Sequence, residues 1–310
     1  MRRFYRYIRS WMAQRRGGSE FCVTDRLVGR GGHSDVLIGS RNGQRIAVKR
    51  ISRFNSSDVP NELYALRTAE THRNIIHFMG YKEDAEFAYI AFELGRIDLL
   101  SLVPENGLGE SGAKKMFQGM LSGVRHIHAR GIVHRDIKLE NWVMVKDTPK
   151  LIDFGLAHVY SSAKSTSSVL FDMVGSRSYC CPNVILQRYD GYACDVWSLA
   201  VCLFVMVAGF FPYDSASARD WRFDNVFRKT ACAPKAIYGL YSWRCPFSDD
   251  LCVLLHNVLG VAGDKRLGLD DMLNSRWVTA KTCRLSKAWQ RALTLAASRP
   301  PSALASPGFA

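Results

Sequence analysis

No Cys-x-x-Cys pair occurs anywhere in the 310 residues, and the nine cysteines are odd in number and widely spread. That pattern argues against a zinc finger or ribbon and indicates no disulfide framework, so a reducing compartment fits best. Long apolar runs are missing too. The longest, Leu199 to Phe211, has 13 residues, where a membrane-spanning helix needs about 20. No apolar signal region with a cleavage site opens the chain, and the expectation is a soluble, cytoplasmic protein without a transmembrane segment. Acidic residues are absent from both ends: residues 1–16 carry six Arg and no Asp or Glu, and residues 272–310 carry six Lys or Arg and again no acid. The net charge of +14 therefore belongs to the tails, because the middle holds 30 basic against 28 acidic residues. A nucleic-acid reading would rest on the tails alone, so no specific nucleic-acid partner is expected.

With 47% hydrophobic and 23% charged residues, the chain has ample material for a core, which excludes global disorder. The stretch MRRFYRYIRSWMAQRR places Phe4, Ile8, Trp11 and Met12 on one helical face with arginines largely opposite. It reads either as an address, mitochondrial or membrane-surface, or as a solvated tail. From Phe21 the pattern changes to short runs rich in β-branched residues: CVTDRLV, DVLIG and RIAVKRI, the last two separated by Asn42-Gly43, a strong hairpin signal. PNELYALRTAE, residues 60–70, opens with Pro and continues with good helix formers, and IIHFMGY and EFAYIAFEL read as two further strands. Beyond Gly95 the periodicity is mainly helical, at 112–129, 194–208 and 249–260.

Chemistry concentrates in a few segments. Gly29-Arg30-Gly31-Gly32-His33-Ser34-Asp35-Val36 has the small residues that let backbone N–H groups approach phosphate oxygens. It is followed by a strand, a tight turn and another strand, which excludes a dinucleotide-binding loop running into a helix and a Gly-Lys-Ser/Thr phosphate loop. Lys49, in the next strand, supplies a cationic point charge, and Glu62, thirteen residues on in the helix, is placed to hold it. His134-Arg135-Asp136-Ile137-Lys138-Leu139-Glu140-Asn141 is followed by Asp153-Phe154-Gly155. Eight histidines show no metal-ligand spacing.

These motifs, in this order and spacing, resemble the catalytic domain of eukaryotic protein kinases over roughly residues 21–280. The resemblance implies an α+β, bilobal fold: a five-stranded antiparallel small lobe with one helix over residues 20–95 and a mainly helical large lobe over 96–285, flanked by tails 1–19 and 286–310. It implies an ATP- and Mg²⁺-dependent phosphotransferase. Asp136 would accept or orient the acceptor hydroxyl's proton, Lys138 would contact the γ-phosphate, and Lys49 paired with Glu62 would hold the α- and β-phosphates. Asn141 and Asp153 would ligate the metal. Leu27, Val36, Ala47 and Val143 would wall the adenine slot beneath Gly29, Gly31 and Ser34, with Phe92 as gatekeeper, Glu93 to Gly95 as hinge and Asp98 on the ribose. Leu66, Phe78, His134 and Phe154 would stack on Asp195 as a spine joining the lobes.

Lys138 and the Gly175-Ser176-x-x-Tyr179 run before Pro182 match the serine/threonine pattern, and the Leu139 form resembles the calcium/calmodulin-kinase group with its AMP-kinase-like and checkpoint-like relatives. The partners implied are proteins with Ser/Thr acceptors, with Glu140 and Asp98 able to favour a basic residue upstream; the oligomeric state is left open. The alternative is a pseudokinase scaffold, against which stands the full catalytic inventory. Three positions depart from the pattern. Ser34 replaces the third glycine, and Asn183 stands where a glutamate pairs with the arginine found here as Arg266. Asp172, three residues before Gly175, occupies the place of the phosphorylated residue that pairs with Arg135; either it makes that pair itself, or it is a solvated loop acid and one of the serines or Thr166 within residues 161–168 is the switch. The segment 281–298, with Leu285, Trp289 and Leu293 in a stripe between basic residues, is a last packed helix or a calmodulin-target-like one.

Overall fold

The computed structural model describes residues 21–30, 34–53, 59–160, 169–230, 232–260, 266–280 and 304–305. The N-terminal stretch, Gly31 and the 281–298 stripe lie outside the described residues.

The first strands are the expected ones: β1 (Cys22–Arg30), β2 (Ser34–Arg41), β3 (Gln44–Ser52), β4 (Phe78–Glu83) and β5 (Phe87–Glu93). They form one antiparallel array in the order β1-β2-β3-β5-β4. The Asn42-Gly43 turn closes β2 onto β3 with both residues at positive φ, 50° and 77°, as a primed two-residue turn requires. A sixth strand comes from the stretch read as the C-terminal tail: β10 (Leu304–Ala305) lies parallel to β1 opposite Gly29 and Arg30. The outer edge of β1 offers the unpaired N–H and C=O groups that accept such an addition. Helix α1 (Val59–Ala69) carries Leu63, Leu66 and Ala69 at helical spacing against the sheet.

The large lobe begins with short α2 (Leu99–Leu102) and long α3 (Gly109–His128), followed by the strand pairs β6 (Ile132–Val133) with β9 (His158–Val159) and β7 (Trp142–Val145) with β8 (Thr148–Leu151). Short α4 (Pro182–Ile185) leads to α5 (Gly191–Ala208), and the chain ends its main course with α6 (Ala233–Leu240), α7 (Asp249–Leu255), α8 (Leu269–Asn274) and α9 (Arg276–Thr279). Helix α5 is apolar on nearly every side apart from Asp195 and Ser198, and 16 of its 18 residues are buried, as a helix that forms the centre of a lobe must be. It is long and apolar enough to cross a membrane, but its surface is covered by the rest of the lobe. Asp190 caps its start by accepting from the Tyr192 N–H, and Gly209 ends it at φ 84°, the left-handed cap that glycine adopts without penalty. One link runs against the expectation drawn from the cysteine pattern: Cys181, just before α4, is joined to Cys194 in the first turn of α5, with Cα atoms 5.4 Å apart. Cysteine count and spacing could not foretell it, since the fold alone sets those two turns side by side.

Candidate active site

The cleft between the lobes is an open hollow of about 990 Å³, counting its solvent-filled mouth. Val36, Ala47, Phe92 and Val143 line it as expected, joined by Ile76 and Ile152, which the sequence did not single out. Val28, not Leu27, forms the wall beneath the glycine loop. Leu27 is 38% exposed and Val28 4%. The register of β1 on β2 shifts between Leu27 and Gly29, and a one-residue irregularity moves side chains to the opposite face. Ser34, Glu93 and Gly95 also lie on the lining, whereas Gly29 and Asp98 do not. Both oxygens of Asp98 accept from Ser101, one from its N–H and one from its hydroxyl, so the side chain caps α2. Glu93 accepts from the His77 N–H and from Lys150, which fixes the hinge side chain and leaves its main chain at the pocket.

β3 and α1 bring Lys49 and Glu62 together, and the segment after β8 brings Asp153. Lys49 Nζ donates to Glu62 at 2.8 and 3.0 Å and to Asp153 Oδ1 at 2.7 Å. Burial alone would lower the Lys49 ammonium's pKa, but the two carboxylates overcome it and drive the value up. Burial likewise works against the Asp153 carboxylate, yet Lys49 holds it at about 2. Burial and the neighbouring Asp153 charge push Glu62 upward instead. Around neutral pH Lys49 therefore stays protonated and Asp153 ionised. Asn61, next to Glu62 on α1, donates to the carbonyls of Gly155 and Ala157, so the helix also grips the chain just past Asp153.

The catalytic loop is built on α5. Asp195, 1% exposed, accepts from the His134 N–H at 2.8 Å and the Arg135 N–H at 2.9 Å, and His128 Nε2 lies 2.9 Å from it. His134 packs edge-on against Phe154 at 5.0 Å, and both are fully buried, as the spine reading expects. Arg135 and Asp153 both hold left-handed backbone conformations, φ 65° and 60°. Such conformations cost a non-glycine residue about 1–3 kcal/mol and persist where the surroundings enforce them. Asp136 projects between three partners: Lys138 Nζ at 2.8 Å, the N–H and hydroxyl of Ser176 at 2.9 Å each, and the Asn141 amide nitrogen at 3.1 Å. Gly175, at φ 97°, lets the loop come this close, since a β-carbon there would lie 2.6 Å from the Arg135 carbonyl.

Arg135 continues outward. Its Nε donates to the Leu156 carbonyl at 2.6 Å and its Nη1 to Asp172 Oδ2 at 2.9 Å, so the Asp172 pairing expected from the sequence forms. At the other end of the segment Arg266 donates to the Asn183 amide oxygen at 3.1 Å and stacks over the Trp197 ring at 4.8 Å.

The donor set can be tested against a nucleotide and its metal. Asn141 uses its amide nitrogen on Asp136, leaving the amide oxygen, and Asp153 is ionised beside it on the pocket lining. Among the described residues no group of three or more His, Cys, Asp or Glu could cage a metal by itself. That suits Mg²⁺, which is held by one or two protein oxygens together with substrate phosphates. The apolar slot ending at Lys49 suits a purine with a phosphate tail.

A family model described as the protein kinase domain matches residues 22–278. The chain belongs to the protein kinase domain family. Among curated relatives, this kinase domain is 31% identical over 265 residues to CBL-interacting protein kinase 19 of Oryza sativa subsp. japonica, covering 81% of the chain and 49% of the relative. It is 30% identical over 260 residues to ribosomal protein S6 kinase alpha-4 of Mus musculus, covering 79% and 32%. To serine/threonine-protein kinase grp of Drosophila melanogaster it is 28% identical over 261 residues, covering 81% and 49%. The kinase domain thus spans about half or less of the length of the curated relatives it matches. Relatives carrying serine/threonine-kinase names agree with the group assigned from the sequence.

Proposed function

We propose that this chain is a protein serine/threonine kinase that transfers the γ-phosphate of ATP to Ser and Thr hydroxyls of protein substrates. The observation that carries the reading is Asp136, held between Lys138, Ser176 and Asn141 in a cleft whose opposite wall presents Lys49, Glu62 and Asp153. Val28, Val36, Ala47 and Val143 would clasp the purine, with Glu93 to Gly95 at its edge. Lys49, steadied by Glu62, would hold the phosphates, and Asn141 and Asp153 would hold Mg²⁺. The metal supplies charge neutralisation for the phosphates when bound. Asp136 would take or orient the acceptor's proton, and Lys138, already beside it, would offset charge on the transferred group. Ser176 bonds directly to Asp136, which fixes the carboxylate against the loop that follows Gly175.

The finer substrate reading is a basic residue upstream of the acceptor, through Glu140. Its carboxylate accepts from the Tyr179 hydroxyl, and burial raises its pKa. Asp98 contributes less, having both oxygens committed to Ser101. The working compartment is the cytoplasm, and a reporter fused to residues 1–19 that collects on mitochondria or membranes would reassign it. The decisive experiment is phosphate transfer from ATP and Mg²⁺ to a degenerate Ser/Thr peptide library, with the Asp136→Asn protein as control. Transfer by the wild type alone supports the enzyme; ATP binding without transfer by either makes the chain a pseudokinase scaffold.

A further inference from the structure

A second cavity opens beside the acceptor loop, about 430 Å³ with its open mouth, lined by Arg177, Asp214, Ser215, Arg219, Asp220, Trp221 and Arg222. Arg177 is the residue next to Ser176, which bonds to the catalytic carboxylate. The following residue, Ser178, donates its hydroxyl to the Asp214 carbonyl, tying the loop to the far wall. The cavity is thus continuous with the surface on which a peptide acceptor must lie.

Its charges are unequal in availability. Asp220 is turned inward: its carboxylate accepts from the backbone N–H groups of Asp214, Ser215, Arg222 and Phe223, and its side chain is 8% exposed. Those four bonds hold its pKa below the usual range in spite of burial, so its charge is already answered by the loop it organises. Asp214 pairs with Arg222 at 2.7 Å, but its side chain is 84% exposed, which makes it an acid at the rim. Arg177 and Arg219 are exposed and have no acidic partner among the described residues. Trp221, 52% exposed, flanks them with an open aromatic face. Two unanswered guanidiniums and a third, Arg222, shared between Asp214 at the rim and Asp220 at 3.9 Å make a site for oxygen anions, since guanidinium matches carboxylate and phosphate in two-pronged geometry.

We propose that this cavity is a substrate subsite that takes an anionic side chain, a carboxylate or a phosphate, flanking the acceptor residue of the protein substrate. The proposal rests on the kinase reading above and adds to it the class of sequence selected: acceptors with an Asp, a Glu or an already phosphorylated residue within reach of Arg177 and Arg219. Binding exchanges the exposed Asp214–Arg222 pair for a contact with all three arginines. A phosphate, with more charge and more acceptor oxygens, gains more than a carboxylate.

The test uses the full chain and a neutral parent peptide with one Ser acceptor, in which Asp or phosphoserine is placed in turn at each flanking position. The wild type should favour one register of Asp by about fivefold or more in kcat/KM over the parent, and phosphoserine there by more. Both ratios should fall toward one in Arg177→Ala/Arg219→Ala, and salt should weaken them. If Asp alone works, the source is a carboxylate; if phosphoserine alone works, the enzyme acts on primed sites. The same peptides, fluorescently labelled, are titrated by anisotropy into Asp136→Asn protein, where preference is read without turnover. Failure of transfer together with a preserved binding preference would count against the enzyme reading and not against the subsite. No preference at any register in either assay, or an undiminished preference in the double variant, overturns the proposal. Arg219→Glu, a single exposed change, provides a second check: it should shift preference from Asp toward Lys at that register.

Discussion

The activation segment, the stretch from Asp153 to Pro182, is held by one arginine near its start and another just past its end, and the two anchors differ in kind. Near the catalytic loop, Arg135, 11% exposed, meets the carboxylate of Asp172. Toward the core of the large lobe, Arg266 meets the amide of Asn183 and lies on Trp197. The first contact joins a charge to a charge where the segment must be held in register with Asp136 and Leu156. The second sets a guanidinium against a neutral amide and an aromatic face, while the Cys181–Cys194 link ties the neighbouring turn to α5. Charge is thus used where the segment must be switched into place, and packing where it only needs to stay.

The largest effect that defines the catalytic end is chemical. Asp136→Asn should leave ATP binding near normal and lower turnover by about 10² to 10⁴, the usual weight of general-base assistance. Wild-type turnover in that variant, with contaminating kinases excluded, would remove Asp136 from its role. Next comes the charged anchor. Phosphatase-treated wild type should keep most of its activity, because Asp172 already supplies the negative charge. Asp172→Ala should lose about three- to tenfold, since the acid is well exposed and such pairs contribute about 1 kcal/mol. Abolition by phosphatase with Asp172→Ala unaffected would move the switch to the serines and threonine of residues 161–168.

The neutral anchor is probed by Asn183→Glu. Restoring a carboxylate opposite Arg266 should raise the melting temperature by about 2–4 °C, the shift expected for about 1 kcal/mol in a domain of this size, with little change in kcat. A fall would show that the Trp197 stacking already answers the guanidinium in full. The smallest effect concerns His158, beside the charged anchor. Burial first and Arg135 second hold its imidazole below the ordinary 6.5, with Asp172 pulling the other way. Folded protein then binds fewer protons at this site than unfolded chain, so the stability it contributes is complete above pH about 6.5 and lost as pH falls below it. Between pH 7 and 5.5 the wild type should lose slightly more thermal stability than His158→Gln; parallel curves would discount the histidine.

The catalytic residues were legible because their chemistry fixes both type and spacing. Lys49, Glu62, Asp136, Lys138, Asn141 and Asp153 come from separate segments, yet each lies in a motif that no packing requirement alone would produce. Asp172 could be found by counting back from Gly175. What escaped the sequence depends on local geometry or on distance in the chain. A register shift in β1 substitutes Val28 for Leu27, and Asp98 turns to cap its own helix. The Cys181–Cys194 link and the strand at 304–305 depend on which turns and edges the fold sets side by side. Arg177 and Arg219 share a cavity only because the acceptor loop and the segment after α5 meet, and no periodicity announces that meeting.

The grip of Asn61 on Gly155 and Ala157 has a consequence for inhibition. Glu62 and Asn61 are consecutive on α1, so one turn of helix holds both the lysine of the cleft and the chain beyond Asp153. A compound that works its way past Phe92 and levers α1 outward must break both attachments together. Such a compound should associate slowly and, once the helix has closed over it, depart slowly, so its residence time rather than its affinity would distinguish it from ligands that stop at the hinge.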